Sequence, residues 1–119
     1  MVVLGTGSGQ HGDVANATAT WIGEAGGAGI DTAYDYGDEA DIREGIARAG
    51  KPRDSLFLET KIPCSNYANA KANIASNIAD LGVSSVDLTL IHFQHCQGGG
   101  FGSSVANTWK ALEDALEEG

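Results

Sequence analysis

Leu56-Phe57-Leu58-Glu59-Thr60-Lys61, then a stretch of helical period over residues 66–81, then Val86-Asp87-Leu88-Thr89-Leu90-Ile91-His92-Phe93 is the passage that decides the fold. A short apolar run, a longer segment with Ile74, Ile78 and Leu81 on one stripe, and a second short apolar run make a strand–helix–strand unit, which argues for a parallel sheet. Gly82 is placed to end the intervening helix. Upstream, residues 28–33 read as a strand and residues 38–49 as its helix, with Ile42 and Ile46 stacked at i, i+4 and Gly50 and Pro52 at the end. Before that, Val2-Val3-Leu4 is a strand closed by Gly5-Thr6-Gly7-Ser8-Gly9. Its helix starts at Asp13, an N-cap, and shows Val14, Ala17, Trp21 and Ala25 on one face until Gly26-Gly27 stops it. Downstream, a Gln- and Gly-rich loop leads to a last helix with Val105, Trp109, Leu112 and Leu116 spaced along a stripe. Four βα units account for the whole chain.

A chain of 119 residues with 42% hydrophobic content is sized for one domain with a buried core, and residues 1–119 read as a single one. The 7 Lys+Arg against 16 Asp+Glu leave a net charge of -9, a field that repels phosphate backbones and argues against a nucleic-acid partner. The most apolar run, residues 86–93, is broken by Asp87 and His92 and falls far short of the roughly 20 residues a membrane span needs. The start, Met1-Val2-Val3-Leu4, has no basic-then-apolar leader, and Cys64 and Cys96 are too few and unpatterned for a disulfide scaffold, so they read as two loop thiols. The expectation is a soluble, cytoplasmic protein in a reducing setting.

In parallel α/β sheets, ligands and chemistry gather at the carboxyl ends of the strands. Those ends carry the glycine run, then Asp31 with Tyr36, then Lys61, then His92. Together these groups suit the reduction of a carbonyl. Hydride arriving at carbon leaves negative charge on oxygen, which needs a proton donor within hydrogen-bond reach. A tyrosine can supply it, and a lysine ammonium a few ångströms away favours the phenolate left behind. Asp31 would hold the Lys61 ammonium, and His92 would orient the substrate oxygen. Taken singly, each residue has an ordinary structural reading: a strand-end lysine, a surface tyrosine, a turn aspartate, a satisfied histidine.

Gly29-Ile30-Asp31-Thr32-Ala33-Tyr34-Asp35-Tyr36-Gly37-Asp38-Glu39 resembles the signature of the aldo-keto reductases. In that family an Asp-Thr/Ser-Ala segment is followed by Tyr five residues after the Asp and by Glu three after that. Thr60-Lys61-Ile62 resembles the family's strand-three lysine, and residues 86–93 resemble its Asp-Leu-x-Leu-Ile-His segment. Leu4-Gly5-Thr6-Gly7 is similar to its opening, and Thr108-Trp109-Lys110-Ala111-Leu112-Glu113 to its fourth helix. The resemblance implies a (β/α)8 TIM-type barrel, of which this chain carries the first four βα units, since a full barrel takes about 250 residues. It also implies NADPH or NADH as hydride donor and an aldehyde or ketone as small-molecule substrate, with Tyr36 as proton donor and Asp31, Lys61 and His92 around it. Gly7, Ser8 and Asp31 would touch the nicotinamide end of the cofactor, while the family's 2'-phosphate and adenine contacts come from later strands. No metal is implied. Departures from the family pattern, Gly9 where many members carry Trp and Phe93-Gln94 where Trp-Pro usually follows the histidine, fall in the substrate pocket and leave its choice open.

Three other readings compete. Gly7-Ser8-Gly9-Gln10-His11-Gly12 is a literal G-x-G-x-x-G with Asp31 about 20 residues on, the pattern of a Rossmann dinucleotide site. Against it, only Ile30 is a large apolar residue before Asp31, and Lys61 and His92 go unexplained. Cys64, His92, His95 and Cys96 contain metal-ligating types, although His-x-x-His is not a zinc spacing outside a helix. Finally, a half-barrel could do no chemistry and at most pair with itself through open sheet edges as a homo-oligomer. Reductase activity is therefore expected of the complete barrel.

Overall fold

Each predicted unit forms, because each short apolar run is followed by a helix whose amphipathic face packs back onto the sheet. The computed structural model describes residues 2–7, 12–96 and 100–119. In it β1 (Val3–Gly5), α1 (Val14–Gly23), β2 (Gly29–Asp31), α2 (Glu39–Ala49), β3 (Phe57–Ile62), α3 (Tyr67–Leu81), β4 (Leu88–Ile91) and α4 (Val105–Glu118) follow in turn. Short 3-10 turns lie at Tyr34–Tyr36 and Arg53–Ser55. The side chains of Asp13, Asn66 and Ser104 accept the amide hydrogens of Asn16, Asn69 and Asn107 at 2.8, 3.0 and 3.0 Å, satisfying donors that the first turns of α1, α3 and α4 leave free. Gly82 ends α3 at φ 66°, a left-handed conformation that glycine adopts without a Cβ penalty.

The sheet order is β1-β2-β3-β4 and every pairing is parallel. Each crossover adds its strand on the same side, which is half the winding of a (β/α)8 barrel. A Rossmann sheet instead reverses its strand order to open a crevice. The order here has no such reversal, and Ser8, Gly9, Gln10 and His11 of the glycine motif lie outside the described residues.

Strand alternation divides the sheet into two faces. Ile30, Leu58, Thr60 and Ile62 are buried against the helices. Ile22, Ile30, Ile42, Leu56, Leu58 and Leu81 form one core cluster, and Ile62, Ala70 and Ala111 a second. Asp31 pairs in register with Glu59, Glu59 with Leu88, and Lys61 with Leu90, so these side chains share the opposite, open face. Asp87, just before β4, accepts from the Leu58 amide at 2.8 Å and from Arg53 at 2.6 Å. Against the effect of burial, these bonds hold its carboxyl below the usual range and tie β4 to β3.

Two helix faces differ from expectation. On α1 the fully buried residues are Ala15, Thr18 and Ile22, whereas Ala17 and Ala25 are exposed. Trp21 stays at the margin, its indole N–H donating to the Gly29 carbonyl at 2.9 Å. On α4 the buried residues are Thr108 and Ala111, while Trp109 and Leu116 are 56% and 85% exposed. Small residues let both helices approach closely, and a hydrophobicity pattern does not register Thr18 or Thr108 as core. The Thr108 hydroxyl donates to the Ser65 carbonyl and accepts from the Ser65 amide, both at 2.9 Å, which sets the rotation of α4. The strand read over residues 86–93 is shorter, Leu88–Ile91, and leaves His92 just past its end.

Candidate active site

Asp31 ends β2, Lys61 lies one residue from the end of β3, and His92 follows β4. Tyr36 closes the 3-10 turn after β2. The parallel register brings all four to one rim. The Lys61 ammonium is paired with Asp31 Oδ1 and also donates to the Thr32 carbonyl at 2.9 Å. Held from two sides, Nζ lies 5.3 Å from the centroid of the Tyr36 ring. The Tyr36 hydroxyl is 3.5 Å from His92 Nε2. The His92 amide donates to the Ile62 carbonyl at 2.8 Å, fixing its backbone beside the Lys61 strand.

Gly7 completes this part of the rim. A Cβ built there would collide with the Tyr36 ring and hydroxyl, so bare backbone is what lets the phenol lie against the loop after β1. Ser8, expected beside Gly7, lies outside the described residues. Thr32 is fully buried and its hydroxyl donates to Asp38 Oδ1 at 2.7 Å, bracing the turn that carries Tyr36 from both ends.

Cys64 and Cys96, read as loop thiols, are joined as a disulfide with Cα atoms 4.8 Å apart. The cause is topological: both residues follow the carboxyl ends of adjacent parallel strands. With the pair bonded, the cysteine count no longer argues for a reducing compartment. Among the described residues no cluster of three or more His, Cys, Asp or Glu is arranged to hold a metal ion. No described helix is long and apolar enough to cross a membrane.

Two contacts carry no signal in the sequence. The first is Asp35, whose Oδ2 is 2.9 Å from His92 Nδ1. The second lies behind the sheet, where Glu39 is 4% exposed and accepts from the Thr60 hydroxyl at 2.9 Å. The amide of the buried Asn77 is also 2.9 Å from that hydroxyl. Burial pushes the Glu39 carboxyl up from 4.5 to about 7, against the Thr60 hydrogen bond and with the help of Asp80 and Asp38. A carboxyl raised in the folded state stays protonated there while the unfolded chain ionises, so its contribution to stability is full below about 4.5, falls as pH rises, and is gone above about 7. Glu39→Gln should therefore match the wild type at about pH 4 and exceed it by roughly 1–3 kcal/mol at about pH 8, because each tenfold change in the carboxyl's proton affinity is worth about 1.4 kcal/mol. Denaturant titration at the two pH values checks this. An equal difference at both would refute it.

The Aldo/keto reductase family model matches residues 2–119. An aldo-keto reductase of Mycolicibacterium smegmatis is 35% identical over 120 residues, covering 98% of this chain and 41% of its own length. A solved aldo-keto reductase from a Medee basin deep-sea metagenome library superposes with a TM-score of 0.83 at 28% identity, over 98% of this chain and 42% of its own. The Bombyx mori aldo-keto reductase in complex with NADP superposes with a TM-score of 0.81 at 27% identity, over 98% of this chain and 43% of its own. This chain thus spans about two-fifths of the length of these relatives. A family match from Val2 to Gly119, on a sheet wound in barrel order, establishes that the chain belongs to the aldo/keto reductase family.

Proposed function

We propose that this chain carries the proton-transfer part of a nicotinamide-dependent carbonyl reductase, and that the activity belongs to the complete barrel. The observation behind this reading is the unbroken line of contacts from Asp31 through Lys61 and Tyr36 to His92 on one rim. NADPH or NADH, when bound, supplies hydride to the carbonyl carbon of an aldehyde or ketone. The residues here fit its nicotinamide end: a Cβ on Gly5 would meet only open space, so the floor beside its strand partner Asp31 is clear on the open face. The solved Bombyx mori relative with NADP supports the same cofactor class.

As charge grows on the carbonyl oxygen, Tyr36 delivers its phenolic proton. Lys61 stabilises the phenolate that remains, and Asp31 with the Thr32 carbonyl keeps the ammonium from swinging away. His92 borders the same oxygen and fixes its direction through Nε2. Phe93, 55% exposed beside His92, lines the place where the substrate's substituent would lie. In this reading it selects among carbonyl compounds.

The test joins this chain to the carboxyl-terminal half of the Mycolicibacterium smegmatis relative and follows loss of reduced nicotinamide with a simple aromatic aldehyde. The expected result is turnover by the joined barrel and none by the 119-residue chain alone. Lys61→Met should lower kcat by about 10²-fold or more while NADPH still binds. Turnover that survives Lys61→Met in a barrel that folds and binds NADPH would overturn the reading.

A further inference from the structure

Three polar side chains from three elements meet behind the sheet, on the face of β3 opposite the Lys61 ammonium. Glu39 stands at the start of α2, Thr60 on β3 beside Lys61, and Asn77 on α3. Glu39 is 4% exposed, and Thr60 and Asn77 are 1% each. The Thr60 hydroxyl lies 2.9 Å from Glu39 Oε1 and 2.9 Å from one terminal atom of the Asn77 amide. The other terminal atom of that amide lies 3.2 Å from both Glu39 carboxyl oxygens and 3.2 Å from the Asn73 carbonyl oxygen. The three side chains therefore touch pairwise, as the corners of a triangle.

The neighbours decide which end of the Asn77 amide is which. An oxygen in the second place would face three acceptors, whereas a nitrogen there donates to them. Against this stands one contact, the amide oxygen then lying 3.3 Å from the Lys61 carbonyl. With the nitrogen toward Glu39, the Asn77 oxygen takes its hydrogen bond from Thr60, and a hydroxyl has one proton to give. If Thr60 gives it to Asn77, the contact with Glu39 Oε1 has no proton unless the carboxyl brings one. If Thr60 gives it to an ionised Glu39, the buried Asn77 oxygen is left without a donor on this side. Only a protonated Glu39 satisfies all three sides.

We propose that Glu39, Thr60 and Asn77 form a closed ring of hydrogen bonds that is complete only while Glu39 holds a proton, a pH-sensitive clasp tying α2 and α3 to β3 behind Lys61. In the closed ring Glu39 donates to Thr60, Thr60 to Asn77, and Asn77 back to Glu39. When Glu39 ionises, its carboxylate is a stronger acceptor than the amide oxygen, so the Thr60 hydroxyl turns to it and α3 loses this link to β3. The surrounding charges favour the proton: Asp38 precedes Glu39, and Asp80 faces it from α3. Tyr34 lines the same hollow from the 3-10 turn, Arg43 of α2 lies against Gly82, and the Lys61 ammonium is held on the opposite face by Asp31. The rise of the carboxyl to about 7 puts the opening of the clasp near neutrality. The clasp stands on this geometry and does not depend on the reductase reading.

The test measures coupling rather than turnover. A double-mutant cycle of Thr60→Val and Asn77→Ala, read by denaturant titration of the 119-residue chain, isolates the bond between the two side chains. At about pH 5 the coupling should be about fivefold in the folding constant, the size of one hydrogen bond, and at about pH 8 it should vanish. In a Glu39→Gln background it should persist at both, because a carboxamide there donates and accepts as the protonated carboxyl does. Coupling that is equal at the two pH values in the wild-type background, or that is lost at about pH 8 in the Glu39→Gln background as well, overturns the proposal. Should the paired variant not fold, the wild type labelled with ¹³C and ¹⁵N decides. The Glu39 carboxyl carbon, identified by its absence in Glu39→Gln, should titrate with a midpoint of about 7, and the Asn77 side-chain amide should shift with the same midpoint. A Glu39 carboxyl already ionised at about pH 5, or an Asn77 amide that does not follow its titration, overturns the proposal equally.

Discussion

Tyr36→Phe in the joined barrel should lower kcat by about 10²- to 10⁴-fold with the substrate KM little changed. The substitution removes one oxygen and leaves the ring, which is what packs against Gly7 and meets the edge of His92. The hydroxyl faces His92 Nε2 at 3.5 Å, long enough that loss of the contact should leave stability almost unaltered. The change therefore isolates proton delivery from folding. At 1.36 kcal/mol per tenfold, the expected loss is about 3–5 kcal/mol of transition-state stabilisation. Cofactor affinity, read by fluorescence quenching, should stay within a few-fold of the wild type, since the phenol acts on the substrate oxygen. A drop of less than about tenfold would point to another donor, with His92 the next group along the rim. That outcome would remove Tyr36 from the role while leaving the family membership untouched.

Asp31, Lys61 and His92 were legible in the sequence for one physical reason: each falls at the carboxyl end of a strand, and parallel strands put all those ends on one side. Tyr36 followed because only five residues separate it from Asp31, too few to leave the rim. The sheet order followed from the same logic, since short crossovers place consecutive strands side by side. Asp35 was hidden because its partner lies 57 residues away and neighbouring side chains of a turn diverge in direction. Glu39 was visible as part of a motif, but its burial against Thr60 and Asn77 was not, because polar residues facing a helix layer carry no apolar period. The misjudged faces of α1 and α4 share that origin: Thr18 and Thr108 are fully buried, so the core there is built on residues that hydropathy counts as surface.

Opening the Cys64–Cys96 bond should cost about 3–4 kcal/mol of stability, the loop-closure entropy regained by an unfolded chain whose crosslinked residues are separated by 32 positions. The loss in the folded state should be uneven. Cys64 is 6% exposed, and the segment holding it stays pinned to α4 through Thr108, which bonds both the amide and the carbonyl of Ser65. Cys96 follows Phe93, Gln94 and His95, all three of them exposed. Reduction should thus free the end that carries His92 and leave the Lys61 end in place. In denaturant titrations with and without reductant, the midpoint should fall in the wild type and stay fixed in Cys96→Ser. Cys64→Ser should be less stable than Cys96→Ser, because Cys64 is buried whereas Cys96 is only partly so, and a hydroxyl costs more to take out of water. Amide exchange at His92 and Phe93 should quicken on reduction, and exchange at Thr60 and Ile62 should not. Two freely titrating thiols in the unreduced wild type, together with equal midpoints in both conditions, would show that the bond is not formed. The rim would then depend for its width on the hydrogen bond from the His92 amide to the Ile62 carbonyl and on the contacts of Thr108.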